Sequence, residues 1–260
     1  MQDKPTLEDA LALMRDLRER CEWDRAQTHE SLRPYLMEEV HELDDALRAG
    51  DRRQMREELG DVLLQVLFHS VIAEEEDAFD AGDVAEALIT KMRRRHPHLY
   101  GGGERQPWER MKAKARTSIA DGLPLGLPPL HRAHRLQDRA AGVGFDWPDT
   151  EGPAQKVEEE LEEVREQLAA RGPAHAPPVD DAAHRALESE LGDLLFAVVN
   201  LCRRAGVHAS LALDKANQKF VRRFEAMERL ARERGLEMGE MGLEGLDELW
   251  EEVKSGENGV

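Results

Sequence analysis

Cysteine is scarce. Cys21 and Cys202 are the only two in 260 residues, too few and too far apart for a disulfide framework or a structural zinc site, so idle thiols in a reducing compartment are expected. Aromatic residues make up 5% of the chain and β-branched alternation is rare, which excludes a sheet of consequence. No apolar run approaches the roughly 18 residues that span a bilayer, and the first twenty residues lack the basic start and apolar stretch of a signal peptide. A soluble cytoplasmic protein without membrane contacts is the expectation. Positive charge is also in deficit. Against 54 Asp and Glu stand 36 Lys and Arg, a formal charge of -18, and such a surface does not bind nucleic-acid polymers, a mode that needs basic groups to release counterions. Any polyphosphate ligand needs cations to meet it.

What is present is helical periodicity and a repeat. Charged residues are 35% of the chain, and apolar residues recur at three and four, so the fold class is all-α. Helices are expected over 6–20, 30–48, 51–77 and 82–95, with Gly50 and Pro97 as stops, and a short one over 107–118. The stretch "DGLPLGLPPL" at 121–130 reads as a linker between domains 1–120 and 131–260. The second half repeats the plan. "REELGDVLLQVLFH" at 56–69 returns as "ESELGDLLFAVVNL" at 188–201, and "CEWDRAQ" is echoed by "VGFDWPD". A helix over 152–170, the second ELGD helix, a long helix carrying "LDKANQKFVRRFEAMERL" and a final helix over 243–254 complete the expectation.

The chemistry lies in paired carboxylates. Glu39 and Glu42, Glu58 and Asp61, Glu160 and Glu163, and Glu190 and Asp193 are each three apart, which puts each pair on one helix face. With so many acidic residues such a pair arises by chance about ten times, usually as solvated surface. The signal is the combination: an acidic helix, a turn, then ExxD with Gly between the carboxylates and an apolar run behind, twice in the same order. The second ELGD helix, with Leu191, Leu194, Leu195, Phe196, Val198 and Val199 pointing nearly everywhere, is expected to be buried on most sides. Four carboxylates converging there repel by roughly several kcal/mol at an effective dielectric of about 20, and a divalent cation resolves the conflict. An all-oxygen site suits Mg²⁺ or Mn²⁺ better than zinc. Gly60 and Gly192 are read as places where a neighbouring helix backbone comes close. The bland alternative is neutralisation by Arg53, Arg56 or Arg185.

Cations distinguish the halves. Lys156 lies one turn before Glu160, where the first half has Tyr35; Lys215 and Asn217 stand where it has Ala87 and Ile89. Lys215, Lys219, Arg222 and Arg223 recur at three and four on one helix, a spacing that equally serves plain solvation. Trp250 and Lys254, four apart, suit a base and a phosphate, or a core edge. Trp23, Phe145 and Trp147 are read first as packing groups, with nucleobase contact as the alternative.

With these motifs in view, "CEWDRAQTHESLRPYLMEEVHEL", "EELGDVLLQVLFH", "RRHPH", "GVGFDWP", "ELGDLLFAVVNL" and "KANQKFVRRFE", in this order, the chain resembles the MazG family of nucleoside triphosphate pyrophosphohydrolases over essentially its whole length. The resemblance implies two tandem MazG-like helical domains of four-helix-bundle type, a homodimer, and Mg²⁺-dependent hydrolysis of nucleoside triphosphates with broad base tolerance, in nucleotide-pool cleansing or stress response. It implies metal ligands at Glu160, Glu163, Glu190 and Asp193 and nucleotide contacts at Lys156, Lys219, Arg223, Trp250 and Lys254, with the C-terminal half the main catalytic one. Glu159 or Glu163 is the candidate to orient or deprotonate water, and Glu39, Glu42, Glu58 and Asp61 keep the pattern of a second site. The turn "RGPAHAPPVDDAAH" is longer than the family pattern leads one to expect. Two rivals remain: a di-iron carboxylate bundle, for which Glu38 and His41 supply one ExxH pair but not the second, and a non-enzymatic acidic interaction protein.

Overall fold

The computed structural model describes residues 4–102, 116–171 and 182–257. Among them every regular element is helical, no strand occurs, and no single helix is long and apolar enough to cross a membrane. The helix expected over 107–118 and the turn after residue 171 fall largely outside the described residues. The chain divides into two compact units, Met1–Arg105 and Gln106–Val260.

In the first unit α1 spans Leu7–Arg20, α2 Glu22–Ala26, α3 His29–Ala49, α4 Arg52–Glu75, α5 Ala81–Arg95 and α6 Pro97–Tyr100. Their starts are written locally. The Thr6 hydroxyl accepts the Asp9 N–H at 3.2 Å while the Asp9 carboxylate accepts the Thr6 N–H at 2.7 Å, a reciprocal cap that satisfies two orphan donors. Asp51 caps α4 by accepting from the Arg53 and Gln54 N–H groups, and α3 ends on Gly50 at φ 68°, a left-handed turn that glycine adopts without strain. Helices α3 and α4 form an antiparallel hairpin, with α1 and α5 packed on α4. Met14, Leu32, Leu67, Phe68, Val71 and Ile72 make the core. Arg18 is buried and ties α1 to the chain that follows: it donates to the carbonyls of Asp24, Arg25 and Gln27 and pairs with Glu75. That fixes the short α2 turn, on which Trp23 stands half exposed, its ring edge on to Tyr35.

The second unit contains α7 (Pro129–Gly142), α8 (Glu151–Arg171), α9 (Ala182–Arg204), α10 (Ala209–Arg234) and α11 (Gly242–Glu257). Helix α7 was not expected from the sequence. It begins with Pro at its first position, where the missing N–H costs nothing, and its buried Arg139 donates to the carbonyls of Ile119 and Asp121. Leu123, inside the Pro/Gly-rich stretch, is buried as well. Helices α8 and α9 form the counterpart of the α3/α4 hairpin, α9 also packs on α7, and α10 packs on α7, α9 and α11. Met227, Ala231 and Leu249, backed by Leu246, Trp250 and Val253, form the α10/α11 core.

Two expectations need correction. Helix α9 is not buried on most sides within one chain: Val199 and Ala197 are buried, yet Leu195 is 57% and Phe196 46% exposed, and Leu191 and Val198 are open too. Its neighbours α7, α8 and α10 do not surround it. Likewise nothing lies within 4 Å of a Cβ built on Gly60 or Gly192, so no neighbouring backbone in the same chain explains either glycine.

Candidate functional site

The α8/α9 hairpin sets acidic side chains from two helices against each other. Glu160 comes from α8, Glu190 and Asp193 from α9, and each offers an oxygen within 4.8 Å of the other two. A hard cation held at about 2.1 Å from each oxygen spans oxygen pairs about 3–4 Å apart, so small side-chain rotations close the group on one ion. Glu160 is only 5% exposed. It is not left unpaired, because Lys156, one turn earlier on the same face, places its ammonium 2.6 Å from Glu160 and 2.8 Å from Glu159. Those two carboxylates raise the Lys156 pKa, Glu159 first. Glu163, one turn further along, is pushed above its ordinary value by burial, by Glu160 and by a hydrogen bond with Glu190, with Lys156 opposing. The four residues read from the sequence thus share one neighbourhood.

The first unit builds a second group from Glu39, Glu58 and Asp61, again with oxygens within 4.8 Å. Glu39 is raised by burial and by the charges of Asp61, Glu42, Glu38 and Glu58, and Glu58 by burial, Glu42 and Asp61. Among the described residues no cation counters these shifts, as Lys156 does for Glu163. Arg53 and Arg56 do not neutralise the group, since both turn to Glu57, at 2.9 and 3.8 Å. Neither group includes a histidine or cysteine; the donor chemistry is all carboxylate, which fits a hard divalent ion and not zinc.

The remaining cations stand elsewhere. Lys215, Asn217, Lys219 and Arg222 lie exposed along α10, which makes no substantial packing contact with α8 among the described residues. Near the middle of α10, Arg223 sits 5.8 Å over the Trp250 ring and Phe220 lies 5.4 Å from it. Lys254 pairs with Glu251 at 2.8 Å. Among the described residues of one chain, the basic face of α10 is not packed on α8, whereas Lys156 meets Glu160 and Glu159 directly.

The "GVGFDWP" motif closes over the other end of the hairpin. Asp146 takes Arg203 and, at 3.2 Å, Arg204; burial pushes its carboxyl up, but the Arg203 hydrogen bond and the two guanidinium charges outweigh this and hold it below the ordinary range. The Trp147 ring rests on α8 at Gly152, where a Cβ would come 2.2 Å from Cε3. Sequence reading missed Gln137 and Arg139 on α7 as buried polar groups. Two prolines at 128 and 129 opening an amphipathic stretch were the available signal.

A family model described as the MazG nucleotide pyrophosphohydrolase domain matches residues 27–100 and again 151–227, each copy containing one of the two hairpins. The chain is 46% identical over 260 residues to the nucleoside triphosphate pyrophosphohydrolase/pyrophosphatase MazG of Thermotoga maritima, covering 96% of each chain. It is 43% identical over 254 residues to the nucleoside triphosphate pyrophosphohydrolase of Escherichia coli K12, covering 93% of each. With the enzyme of that name from Mycobacterium tuberculosis it shares 42% over 168 residues, 61% of this chain and 50% of that one.

Proposed function

This chain belongs to the MazG nucleotide pyrophosphohydrolase family, and we propose that it hydrolyses nucleoside triphosphates to monophosphate and pyrophosphate at the carboxylate group of its second unit. The observation that carries the assignment to this group is the buried Glu160, grouped with Glu190 and Asp193 and served by Lys156. The donor set suits Mg²⁺, with Mn²⁺ as substitute, held by Glu160, Glu163, Glu190 and Asp193. When bound, the ion supplies Lewis-acid charge to the phosphate oxygens and acidifies water.

The protein's own groups do the rest. Glu159, or Glu163 where metal leaves it a free oxygen, orients and deprotonates the attacking water. Lys156 exchanges its carboxylate partners for a phosphate oxygen as the triphosphate arrives, so that charge developing there is met by a cation already in position. The basic face of α10, with Lys215, Asn217, Lys219, Arg222 and Arg223, and then Trp250 and Lys254, completes the triphosphate site from a second copy of the chain. A homodimer also covers Leu191, Leu195 and Phe196 on α9, which one chain leaves open. The free thiols Cys21 and Cys202 support a reducing cytoplasmic setting, and the group around Glu39, Glu58 and Asp61 is a second, weaker metal site.

Pyrophosphate release from a panel of nucleoside triphosphates with Mg²⁺, compared between wild type, Glu160→Ala and Glu39→Ala, tests the reading. The expected result is loss of at least about a hundredfold in Glu160→Ala and a much smaller loss in Glu39→Ala. Absence of Mg²⁺-dependent turnover by well-folded wild type would overturn it.

A further inference from the structure

Helices α9 and α10 are separated by residues 205–208 and meet at 102°. His208 stands at that corner as the residue before α10, and its side chain makes no capping hydrogen bond. It packs instead on two imidazoles of α7. The His134 ring lies 4.5 Å from it, tilted by 34°, and the His131 ring 5.0 Å from it, edge on. Nδ1 of His134, Nδ1 of His208 and Oγ of Ser210 are all buried without a hydrogen-bond partner. The charges that bear on the α7 rings are Arg135 and Asp138 from α7 and Arg203 from α9; the next ionisable residue on α10 after His208 is Asp214. Asp138 stands 3.7 Å from His134 but is already taken by Arg135 at 2.9 Å. A second protonated imidazole in the cluster therefore meets net repulsion. The three rings do not make a metal group, because among the described residues only the two carboxylate groups bring three ligand atoms together.

We propose that this corner is a proton-operated hinge. With the imidazoles neutral, His131, His134 and His208 hold the start of α10 on α7; with two of them protonated, like charges at ring distances of 4.5 and 5.0 Å drive His208 off α7 and free the direction that α10 takes from α9. Burial first, then the charges of His208 and Arg135, holds His131 below the ordinary imidazole range. Burial also leads for His134, with His208, Arg203 and Arg135 adding to it and Asp138 opposing. A lowered imidazole contributes stability that is whole above its unfolded pKa of about 6.5 and is lost as pH falls from there through the folded value. The corner is thus closed above about pH 6.5 and opens below it. Two other groups of the second unit do not open it in that range: Asp146, held low, keeps its charge and its grip on Arg203, and Glu163, held high, loses repulsion when it takes a proton. The hinge goes beyond the hydrolase reading and is tested without it. Only its consequence rests on that reading, because α10 carries the basic face of Lys215, Lys219, Arg222 and Arg223.

Hydrogen exchange of the full-length protein, read by mass spectrometry at about pH 7.5 and about pH 5.5, either side of the imidazole value, tests the hinge, with exchange times matched for the intrinsic rate. Peptides covering 205–215 and 129–138 should lose protection at the lower pH, about tenfold per pH unit for each proton taken up on opening. Peptides from the middle of α8, in the same unit, should keep theirs. The double variant His134→Gln/His208→Asn removes two of the three titrating rings, keeps polar side chains, and puts at 208 a residue that caps helices well. Its protection at the corner should be nearly the same at both pH values. If far-UV circular dichroism shows this variant unlike wild type at the higher pH, His131→Gln/His134→Gln takes its place with the same expected result. Equal protection of wild type at the two pH values overturns the hinge. So does an equal loss of protection in the variant, or a loss that α8 shares in full, which would show the whole unit unfolding instead of its corner opening.

Discussion

Glu190→Gln should reverse sign with metal: more stable than wild type in chelator, less stable in Mn²⁺. In the metal-free chain Glu190 has an oxygen within 4.8 Å of both Glu160 and Asp193. A pair of unit charges at that distance repels by about 3.5 kcal/mol at an effective dielectric of about 20 and by under about 1 kcal/mol in water. Glu190 is half-buried and Asp193 exposed, so solvent screening takes most of the upper figure and about 1–2 kcal/mol of relief remains. Glutamine keeps the shape and the hydrogen-bonding capacity toward Glu163 while removing the charge. For a unit of this size that gain is a rise of about 3–8 °C in its melting temperature. With Mn²⁺ at about a hundred times its dissociation constant, wild type gains about 2.7 kcal/mol, and the variant, short of one anionic ligand, gains far less. Scanning calorimetry in EDTA and in MnCl₂ reads both, with the two units followed as separate transitions. If the variant melts lower in EDTA and wild type shows no Mn²⁺ shift, the crowding on which the metal assignment stands does not exist.

Gly152→Ala drives a methyl to 2.2 Å from the Trp147 ring; the helix cannot yield, so the indole must leave, at a cost of about 1–3 kcal/mol, visible as a lower melting temperature and a red shift in tryptophan emission. Arg18→Met removes the donor to three carbonyls around α2 and the partner of Glu75, so the first unit should lose about 2–4 kcal/mol in urea unfolding and α2 amides should exchange faster. Asp146, with a folded pKa below its ordinary value, contributes stability that is present above its unfolded pKa of about 3.9 and lost as pH falls through the lower folded value. In Asp146→Asn the unfolding free energy of the second unit should therefore depend less steeply on pH below about 4, and an unchanged acid limb would refute the pairing.

Much of the chain was legible without coordinates because it depends on neighbours in sequence. Capping residues such as Thr6 and Asp51, the stop at Gly50, and carboxylates spaced at three on one face are local facts, and so the helix limits and the four acidic pairs could be read directly. The repeat of the ELGD helix gave two hairpins, and with it the family. Contacts between distant segments were not legible. That Lys156 turns to Glu160 rather than to solvent, that Arg53 and Arg56 choose Glu57, that α7 forms and buries Gln137, and that the glycines of both ELGD helices face open space all depend on how helices pack. The apolar run of α9 marked a helix with much surface to hide, but pattern alone assigns no neighbour to each face: burial is set by which surfaces meet across long sequence separations, and only the folded arrangement decides that.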